Sequence, residues 1–242
     1  MERRHRTRQT QLRFPTLNTK IFTDTVFSST KLLHGNKCAQ VFTNGMGYDV
    51  FYPLKEESDI GDALNKVVRT IGVPKEFVSD GAKAEVQGRF AAVASEYRIK
   101  QRITEPYSAW QNRAEAAIRE IKKGIKRAML RAHSPKRLWD YCCEWVTAER
   151  RLTAHDIPAL QGRVPTELIN GNTPDISEYA QFDWYQLVWY IDPAVRFPDD
   201  SRKIGRWIGV AHDVGSPMTF WVLLQSCKVV ARSTVTPLTD DE

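Results

Sequence analysis

The sequence has no long apolar run and no apolar segment at its N-terminus. No apolar stretch in its 242 residues approaches the roughly 20 residues that a bilayer-spanning helix needs, so we expect no membrane partner. The basic segment at residues 1–14 lacks the apolar stretch of a secretory signal, which argues against secretion. Hydrophobic content of 42% instead fits a folded protein with a sizeable core.

Cysteine and histidine are too scattered to predict a zinc site. The four cysteines and five histidines include no Cys-x-x-Cys motif and no closely spaced histidine pair, so we expect no zinc. Cys142 and Cys143 are adjacent within an apolar segment with helical character. We predict that both are buried free thiols without chemistry.

The net charge of +6 is unevenly distributed. Residues 1–20 and 98–137 together carry +14, which leaves −8 for the remaining chain. Clustered Lys and Arg gain affinity for phosphates by releasing counterions, so the segregation favours a polyanionic partner such as nucleic acid. The alternative is a solvated helix face. Residues 3–8 are also compatible with a nuclear-localisation patch or a disordered arm.

The first half of the sequence predicts a mixed α/β fold. Three segments rich in β-branched and aromatic residues, two of them joined by a turn, are typical of antiparallel strands. Apolar residues at helical spacing then alternate with two further strands. The predicted segments are strands at 20–30, 37–44, 48–54, 76–80 and 97–104 and helices at 58–72 and 83–96. Strands joined by helical crossovers run parallel, and ligands collect at their carboxyl ends, where Asp80 lies.

The second half predicts two helices and then a small all-β unit. A long helix begins at Asn112, and another follows with Ser134 as its cap and Pro135 at its first position. From about residue 183, four short strands separated by turns indicate a small barrel or sandwich, whose tryptophans we expect in the core: Trp184, Trp189, Trp207 and Trp221. We divide the chain into a basic arm (1–17), a core with a helical extension (18–174) and a small β domain (175–242).

Glu115 opens a row of cations on the long helix. Projected at 100° per residue, three cations fall on the same side of the helix as Glu115, beside its apolar stripe: Arg119, Lys122 and Lys126. One interpretation is an ordinary surface pair between residues four apart. The other is that Glu115 reaches a catalytic centre while the cations contact phosphates. Glu120 flanks the stripe on its other side, and periodicity does not choose between the two acids.

Three motifs carry a family resemblance. The segments "FTDT", "VPKEFVSDGAK" and "PYSAWQNRAEAAIREIK" resemble the three acidic signatures of the integrase catalytic core of retroviruses and long-terminal-repeat retrotransposons. The copia type looks closest, because "VPTELINGNTPDIS" and the strands after it are also similar to the region C-terminal to the core in copia-type polyproteins. The resemblance covers residues 18–238.

The resemblance implies a ribonuclease-H-like mixed five-stranded sheet with flanking helices, followed by a small all-β, barrel-like domain. It makes Asp24, Asp80 and Glu115 the catalytic acids and the ligands of two Mg²⁺ or Mn²⁺ ions. Such ions take carboxylate ligands and can activate the attacking oxygen and stabilise the leaving one. The implied reaction is 3′-end processing and DNA strand transfer. The residues expected to contact DNA are Asn112, Arg119, Lys122 and Lys126.

The resemblance also implies a homo-oligomer, and a nuclear location if the host is a eukaryote. Two departures accompany it: Arg113 occupies a place near the glutamate where the family usually has glycine, and the 34 residues between Asp80 and Glu115 are one fewer than usual. The alternatives are a decayed or domesticated derivative that only binds nucleic acid, and a ribonuclease specific for RNA–DNA hybrids, which must read the 2′-hydroxyl.

Overall fold

The computed structural model describes residues 15–30, 32–82, 85, 87–105, 108 and 111–238. Its first sheet has five strands: β1 Thr16–Phe27, β2 Cys38–Thr43, β3 Asp49–Leu54, β4 Val73–Ser79 and β5 Lys100–Ile103. Their spatial order is β3-β2-β1-β4-β5, with β1, β2 and β3 antiparallel and β4 and β5 parallel to β1. The predicted mixed sheet is confirmed, whereas most of the predicted basic arm, residues 1–14, lies outside the described residues.

Helices cover both faces of this sheet. They are α1 Ile60–Thr70, α2 Gly88–Glu96, α3 Arg113–Arg131, α4 Trp139–Leu152, α5 Pro165–Asn170 and α6 Ser177–Ala180. One apolar cluster joins a sheet face to α1 and α2, and a second joins the other face to α3 and α4. Residues 83, 84 and 86 of the helix predicted at 83–96 lie outside the described residues.

Side chains of β1 and β2 alternate between these two cores. Ile21 of β1 and Phe42 of β2 belong to the cluster with α1 and α2, whereas Val26 and Val41 belong to the cluster with α3 and α4. Successive strand residues point to opposite faces. Asp24 lies two residues before Val26 and so shares its face of the sheet, which α3 covers. The residues next to Asp24 on β1 face α1 and α2.

The start of α4 differs from the prediction. A 3₁₀ turn at Lys136–Leu138 precedes the helix, and Pro135 adopts an extended conformation before that turn. Ser134 does not cap α4; its hydroxyl oxygen accepts a hydrogen bond from Trp184 Nε1 at 3.0 Å. A long-range bond to the C-terminal part of the chain thus takes the place of the local cap.

The second sheet contains β6 Leu187–Ile191, β7 Arg202–Val210, β8 Phe220–Leu223, β9 Val229–Arg232 and β10 Val235–Pro237. Its order is β10-β6-β7-β8-β9, and every pair is antiparallel. The segment predicted as one final strand is split at Ser233 and Thr234, so consecutive strands lie at opposite edges. Only two residues join those edges, which requires the sheet to curl in the predicted barrel-like manner.

The second sheet shares a core with α3 and α4. Trp184 and Trp207 are buried, as predicted, and belong to the apolar cluster that contains Ile121 of α3 and Val146 of α4. Trp221 packs against this cluster while partly buried, and Trp189 lies under the Arg202 guanidinium, 5.0 Å from its ring centre. Of the four tryptophans predicted in the core, Trp184 and Trp207 are therefore buried, while Trp189 and Trp221 are only partly buried.

The adjacent thiols are buried and free, as predicted. Cys142 and Cys143 lie inside α4 without a disulfide, and burial raises the pKa of both thiols. Among the described residues, no helix combines the length and the apolar content that crossing a membrane requires.

Candidate active site

Asp24 lies on the central strand of the first sheet. It is half-buried on β1, on the face that α3 covers, between the antiparallel neighbour β2 and the parallel neighbour β4. Its Oδ1 accepts a hydrogen bond from the backbone N–H of Thr25 at 2.7 Å. The strand thus holds the carboxylate at one oxygen.

Asp80 follows β4 directly and is exposed to solvent. Its Oδ1 accepts a hydrogen bond from the backbone N–H of Ala82 at 3.1 Å, which is the geometry of a side-chain-stabilised turn. Gly81 makes that turn possible, since its φ is +88° and a Cβ there would lie 2.8 Å from Ile103 Cγ2. One oxygen of Asp80 therefore stabilises the chain reversal at the carboxyl end of the strand.

Glu115 lies in the first turn of α3 and is exposed. The helix begins after Asn112, whose Oδ1 accepts a hydrogen bond from the backbone N–H of Ala114 at 3.0 Å. The Asn112 Nδ2 also donates to the Thr23 carbonyl oxygen at 3.3 Å, beside Asp24 on β1. The cap thereby attaches the end of the helix that carries Glu115 to the strand that carries Asp24.

The charges of Asp80 and Glu115 affect the protonation of Asp24. Burial raises the pKa of Asp24 to about 6; the Thr25 amide opposes the shift, and the charges of Asp80 and Glu115 raise the pKa further. Within the part of the chain that is described, no three His, Cys, Asp or Glu side chains form a group that could hold a metal ion. The acids therefore share one electrostatic environment without forming a closed ligand set.

The fold places Glu115 and Glu120, between which helix periodicity does not choose, in different surroundings. Glu115 acts on Asp24 through its charge. Glu120 instead forms an ion pair with Lys123 on the same helix, with 2.8 Å between Oε1 and Nζ, and this pair lowers the pKa of Glu120. Helix periodicity could not supply this difference, because it depends on where β1 lies relative to α3.

Three of the predicted DNA-contacting residues are exposed cations on α3, while the fourth is buried. Arg119, Lys122 and Lys126 all face solvent, and the charge of Lys122 reaches Asp24, where it lowers the pKa. Asn112 is only 2% exposed, and both atoms of its side-chain amide are bonded within the protein. A DNA contact through Asn112 does not fit this position; its geometry is that of a helix cap.

Arg113 packs against Phe22 of β1 and against Gly45, in the turn between β2 and β3. The guanidinium carbon of Arg113 lies 5.7 Å from the centre of the Phe22 ring. A Cβ at Gly45, where φ is +72°, would lie 2.5 Å from Arg113 Cδ. The arginine stem therefore occupies space that the absence of a side chain at Gly45 leaves free.

Two buried polar residues near the site were missing from the sequence predictions. Gln40 is fully buried in the middle of β2, and Glu85, five positions after Asp80, is 2% exposed. The Gln40 Nε2 donates to Glu85 Oε1 at 2.6 Å. The signal in the sequence was a single amide within a mostly apolar strand, "CAQVFT", which predicts a buried residue that needs partners.

Comparisons with known proteins relate this architecture to retroviral integrases. No protein-family model and no curated protein matches the sequence. A simian T-cell lymphotropic virus intasome in complex with the PP2A regulatory subunit B56 gamma aligns over 100% of this chain and 86% of its own, with a TM-score of 0.51 and 10% identity. The BIV integrase catalytic core covers 64% of this chain and 95% of its own, with a TM-score of 0.50 and 13% identity.

A third structure, the HTLV-2 integrase catalytic core domain in complex with magnesium, covers 65% of this chain and 99% of its own, with a TM-score of 0.50 and 15% identity. At such low identity the likeness is one of fold. The chain has the fold of a retroviral integrase catalytic core, followed by a small β domain.

Proposed function

We propose that this protein is a metal-dependent polynucleotidyl transferase that trims and joins DNA ends, as the integrase of a copia-type retrotransposon. The observation that carries the proposal is that carboxylates on three separate elements share one electrostatic environment, although they do not form a closed ligand set in the described part of the chain. Asp80 and Glu115 act through their charges on Asp24, at the carboxyl-end edge of the sheet. Ligand sites of sheets with parallel crossovers lie at this edge.

The donor set fits hard divalent cations. Mg²⁺ and Mn²⁺ take oxygen ligands and keep several waters, so a few carboxylates from different elements suffice to hold them. Asp24, Asp80 and Glu115 would hold two such ions, which supply an activated attacking oxygen and stabilise the leaving oxygen of a phosphodiester. Burial is the main cause of the raised pKa of Asp24, and the charges of Asp80 and Glu115 add to it; a bound cation would offset that repulsion.

The protein's own residues provide the remaining functions. The Thr25 amide and the turn after β4 each hold one carboxylate oxygen, at Asp24 and Asp80 respectively. The exposed side chains of Arg119, Lys122 and Lys126 continue along α3 from Glu115 and would contact the phosphates of the DNA. The acids would thus act on the scissile bond while the cations fix the register of the duplex.

A strand-transfer assay with Mg²⁺ on short duplex ends tests the proposal. We expect Asp24→Asn, Asp80→Asn and Glu115→Gln each to lose activity by more than the roughly 10–100-fold that is typical of a change outside the ligand shell. Glu120→Gln is the matched control, because it makes the same change on the same helix at an acid paired with Lys123. Wild-type activity in any of the three ligand variants would exclude the mechanism.

A second candidate is a DNA-binding protein whose catalysis has lapsed. It is favoured by the lack of a preformed metal group among the residues that the structure describes. This candidate predicts DNA binding that weakens steeply with salt, and no nicking with Mg²⁺ or Mn²⁺. The same assay separates the two candidates, because only the first predicts product that depends on both the metal and Glu115.

We also propose that the protein acts as a homo-oligomer on DNA. The support is the fold shared with a chain of an intasome, which aligns over 100% of this chain. Light scattering after size exclusion, with and without duplex ends, would measure the number of copies. A complex that contains a single copy of the chain under strand-transfer conditions would contradict the proposal.

A further inference from the structure

A buried hydrogen-bond network lies behind Asp24, on the opposite face of the sheet. Thr23 and Thr25 flank Asp24 on β1, and Gln40 of β2 pairs with Thr25 across the ladder. The Gln40 Nε2 donates to Thr23 Oγ1 at 2.6 Å, and Gln40 Oε1 accepts from Thr25 Oγ1 at 2.7 Å. One amide thus holds both neighbours of Asp24.

Glu85 extends this network to the segment that follows Asp80. Its Oε1 accepts from Gln40 Nε2 at 2.6 Å, so the two N–H groups and the carbonyl oxygen of the Gln40 side chain are all used. Burial raises the pKa of Glu85 to about 8; the bond from Gln40 opposes the shift, and the charges of Asp80 and Asp24 add to it. Near neutral pH the carboxyl group is mostly protonated and adds little charge beside the acids.

Thr23 joins this network to α3. Its hydroxyl oxygen accepts from Gln40, and its backbone carbonyl oxygen accepts from Asn112 Nδ2 at 3.3 Å. Thr23 therefore connects β1, which carries Asp24, to the capped start of α3, and Gln40 connects Thr23 to Glu85, five positions after Asp80. Each connecting side chain is buried, with Thr23, Gln40, Glu85 and Asn112 at most 2% exposed.

We propose that Thr23, Gln40, Glu85 and Asn112 are positioning residues that set the spacing of Asp24, Asp80 and Glu115 for metal binding. The proposal rests on the function proposed above. Its physical basis is that a fully satisfied buried hydrogen-bond network rigidifies the groups that it joins and favours one arrangement of them. Side chains outside the ligand shell that orient metal ligands typically change metal affinity or activity by roughly 10–100-fold when they are replaced.

A matched pair of substitutions at Thr23 separates positioning from packing. Thr23→Val keeps the shape and removes the hydroxyl group, whereas Thr23→Ser keeps the hydroxyl group and removes a methyl group from a fully buried site. We expect Thr23→Val to weaken Mn²⁺ binding by about 10-fold or more and Thr23→Ser to leave it within about 2-fold. A purely structural role predicts effects that follow thermal stability instead.

A second pair tests Glu85 in the same way. Glu85→Gln keeps an oxygen that can accept from Gln40, so we expect Mn²⁺ affinity within about 2-fold of wild type. The double variant Gln40→Met with Glu85→Met removes the donor and the acceptor of the bond between them, so neither polar group of that bond is left buried without its partner. We expect it to fold with a melting temperature below that of wild type, because the Thr23 and Thr25 hydroxyl groups lose their bonds to Gln40, and to lose at least about 10-fold in Mn²⁺ affinity at temperatures where it is still folded.

The experiment is calorimetric titration of the full-length protein with Mn²⁺ alone, followed by strand transfer at increasing Mg²⁺. Wild-type binding with weaker binding in Thr23→Val and the double variant supports the proposal, even if strand transfer is absent and the proposed reaction fails. Equal Mn²⁺ affinity in wild type, Thr23→Val and the double variant would overturn it. Wild-type protein that binds no Mn²⁺ would overturn both proposals.

Discussion

Gly124 of α3 packs directly against Val146 of α4. A Cβ added at Gly124 would lie 2.7 Å from Val146 Cγ1, closer than two carbon atoms approach without displacement. Val146 is 3% exposed and belongs to the core shared with the second sheet, so it has little room to move. The glycine sets the distance between the two helices on the face of the sheet that carries Asp24.

Gly124→Ala is therefore expected to destabilise the protein. In an exposed helix the same change would gain up to about 1 kcal/mol from helix propensity. Here we expect a loss of about 1–3 kcal/mol in the free energy of unfolding, because the new methyl group overpacks the helix contact. Urea denaturation measures the loss.

The double variant with Val146→Ala provides the control. The two substitutions should be less destabilising together than the sum of each alone, since the smaller side chain makes room for the methyl group. Gly124→Ala protein as stable as wild type would show that the helices move apart at no cost.

The sequence could predict the elements of this fold because their signals are local. Alternating apolar residues and turns specify β1 to β3, and the apolar stripe specifies α3. The sequence could not predict contacts between distant segments. Nothing near Gly124 in the chain indicates Val146, and Ser134 looks like a helix cap until Trp184 is placed beside it.

The same difference between local signals and contacts of distant segments applies to the candidate site. Motif resemblance already selected Asp24, Asp80 and Glu115, with Glu115 over Glu120, whereas the ion pair between Glu120 and Lys123 and the effect of the Glu115 charge on Asp24 come from the fold. The roles of Asn112 and Gln40 depend on hydrogen bonds across 89 and 17 positions of the chain, respectively. Such bonds leave no periodic signal, so only the fold reveals them.

Asp24→Asn is expected to stabilise the metal-free protein at neutral pH. The pKa of Asp24 is about 6 in the folded protein and 3.8 as the ordinary value, so between these pH values the folded state binds more protons than the unfolded state. Stability therefore falls as pH rises through this window, and asparagine removes the loss. We expect a gain on the order of 1–2 kcal/mol at about pH 7.5, after allowance for the partial exposure of Asp24.

Thermal unfolding of both proteins without divalent metal at several pH values measures this gain. The difference should be much smaller near pH 4, where Asp24 is protonated in the folded state and partly protonated in the unfolded state, and it should disappear below the ordinary pKa of 3.8. Asp62→Asn is a suitable comparison, because Asp62 is exposed and ion-paired with Arg89 at 2.6 Å, and it should not stabilise. A gain near pH 7.5 that persists unchanged near pH 4 would contradict the electrostatic origin.

Arg150→Met is expected to destabilise the junction between α4 and β3. Arg150 Nε lies 2.8 Å from Oδ2 of Asp49, which is fully buried and otherwise bonded to Thr43 at 2.6 Å. Removing the guanidinium leaves a buried carboxylate without its counter-charge, which costs about 3 kcal/mol in the free energy of unfolding. Chemical denaturation gives the value.

Two further variants examine the cause of this loss. Adding Asp49→Asn to Arg150→Met should restore part of the stability, because the uncompensated charge is gone. Lys203→Met removes the cation from the more exposed pair with Asp192 and should change stability little. Equal losses in Lys203→Met and Arg150→Met would argue against burial as the deciding factor.

Lys122→Gln and Lys126→Gln should weaken DNA binding mainly at low salt. The two residues lie four apart on the exposed face of α3 that begins with Glu115, so both face the same phosphate backbone in the proposed complex. Each lost phosphate contact reduces the slope of log K against log salt by about one unit. Fluorescence anisotropy with a labelled duplex at several salt concentrations measures the slope.

Lys75→Gln is the control. It removes an equal charge from an exposed residue near the opposite end of β4 from Asp80, and it should leave the slope unchanged. If all three variants reduced affinity equally, the attraction would come from net charge, and α3 would not be the DNA-binding surface.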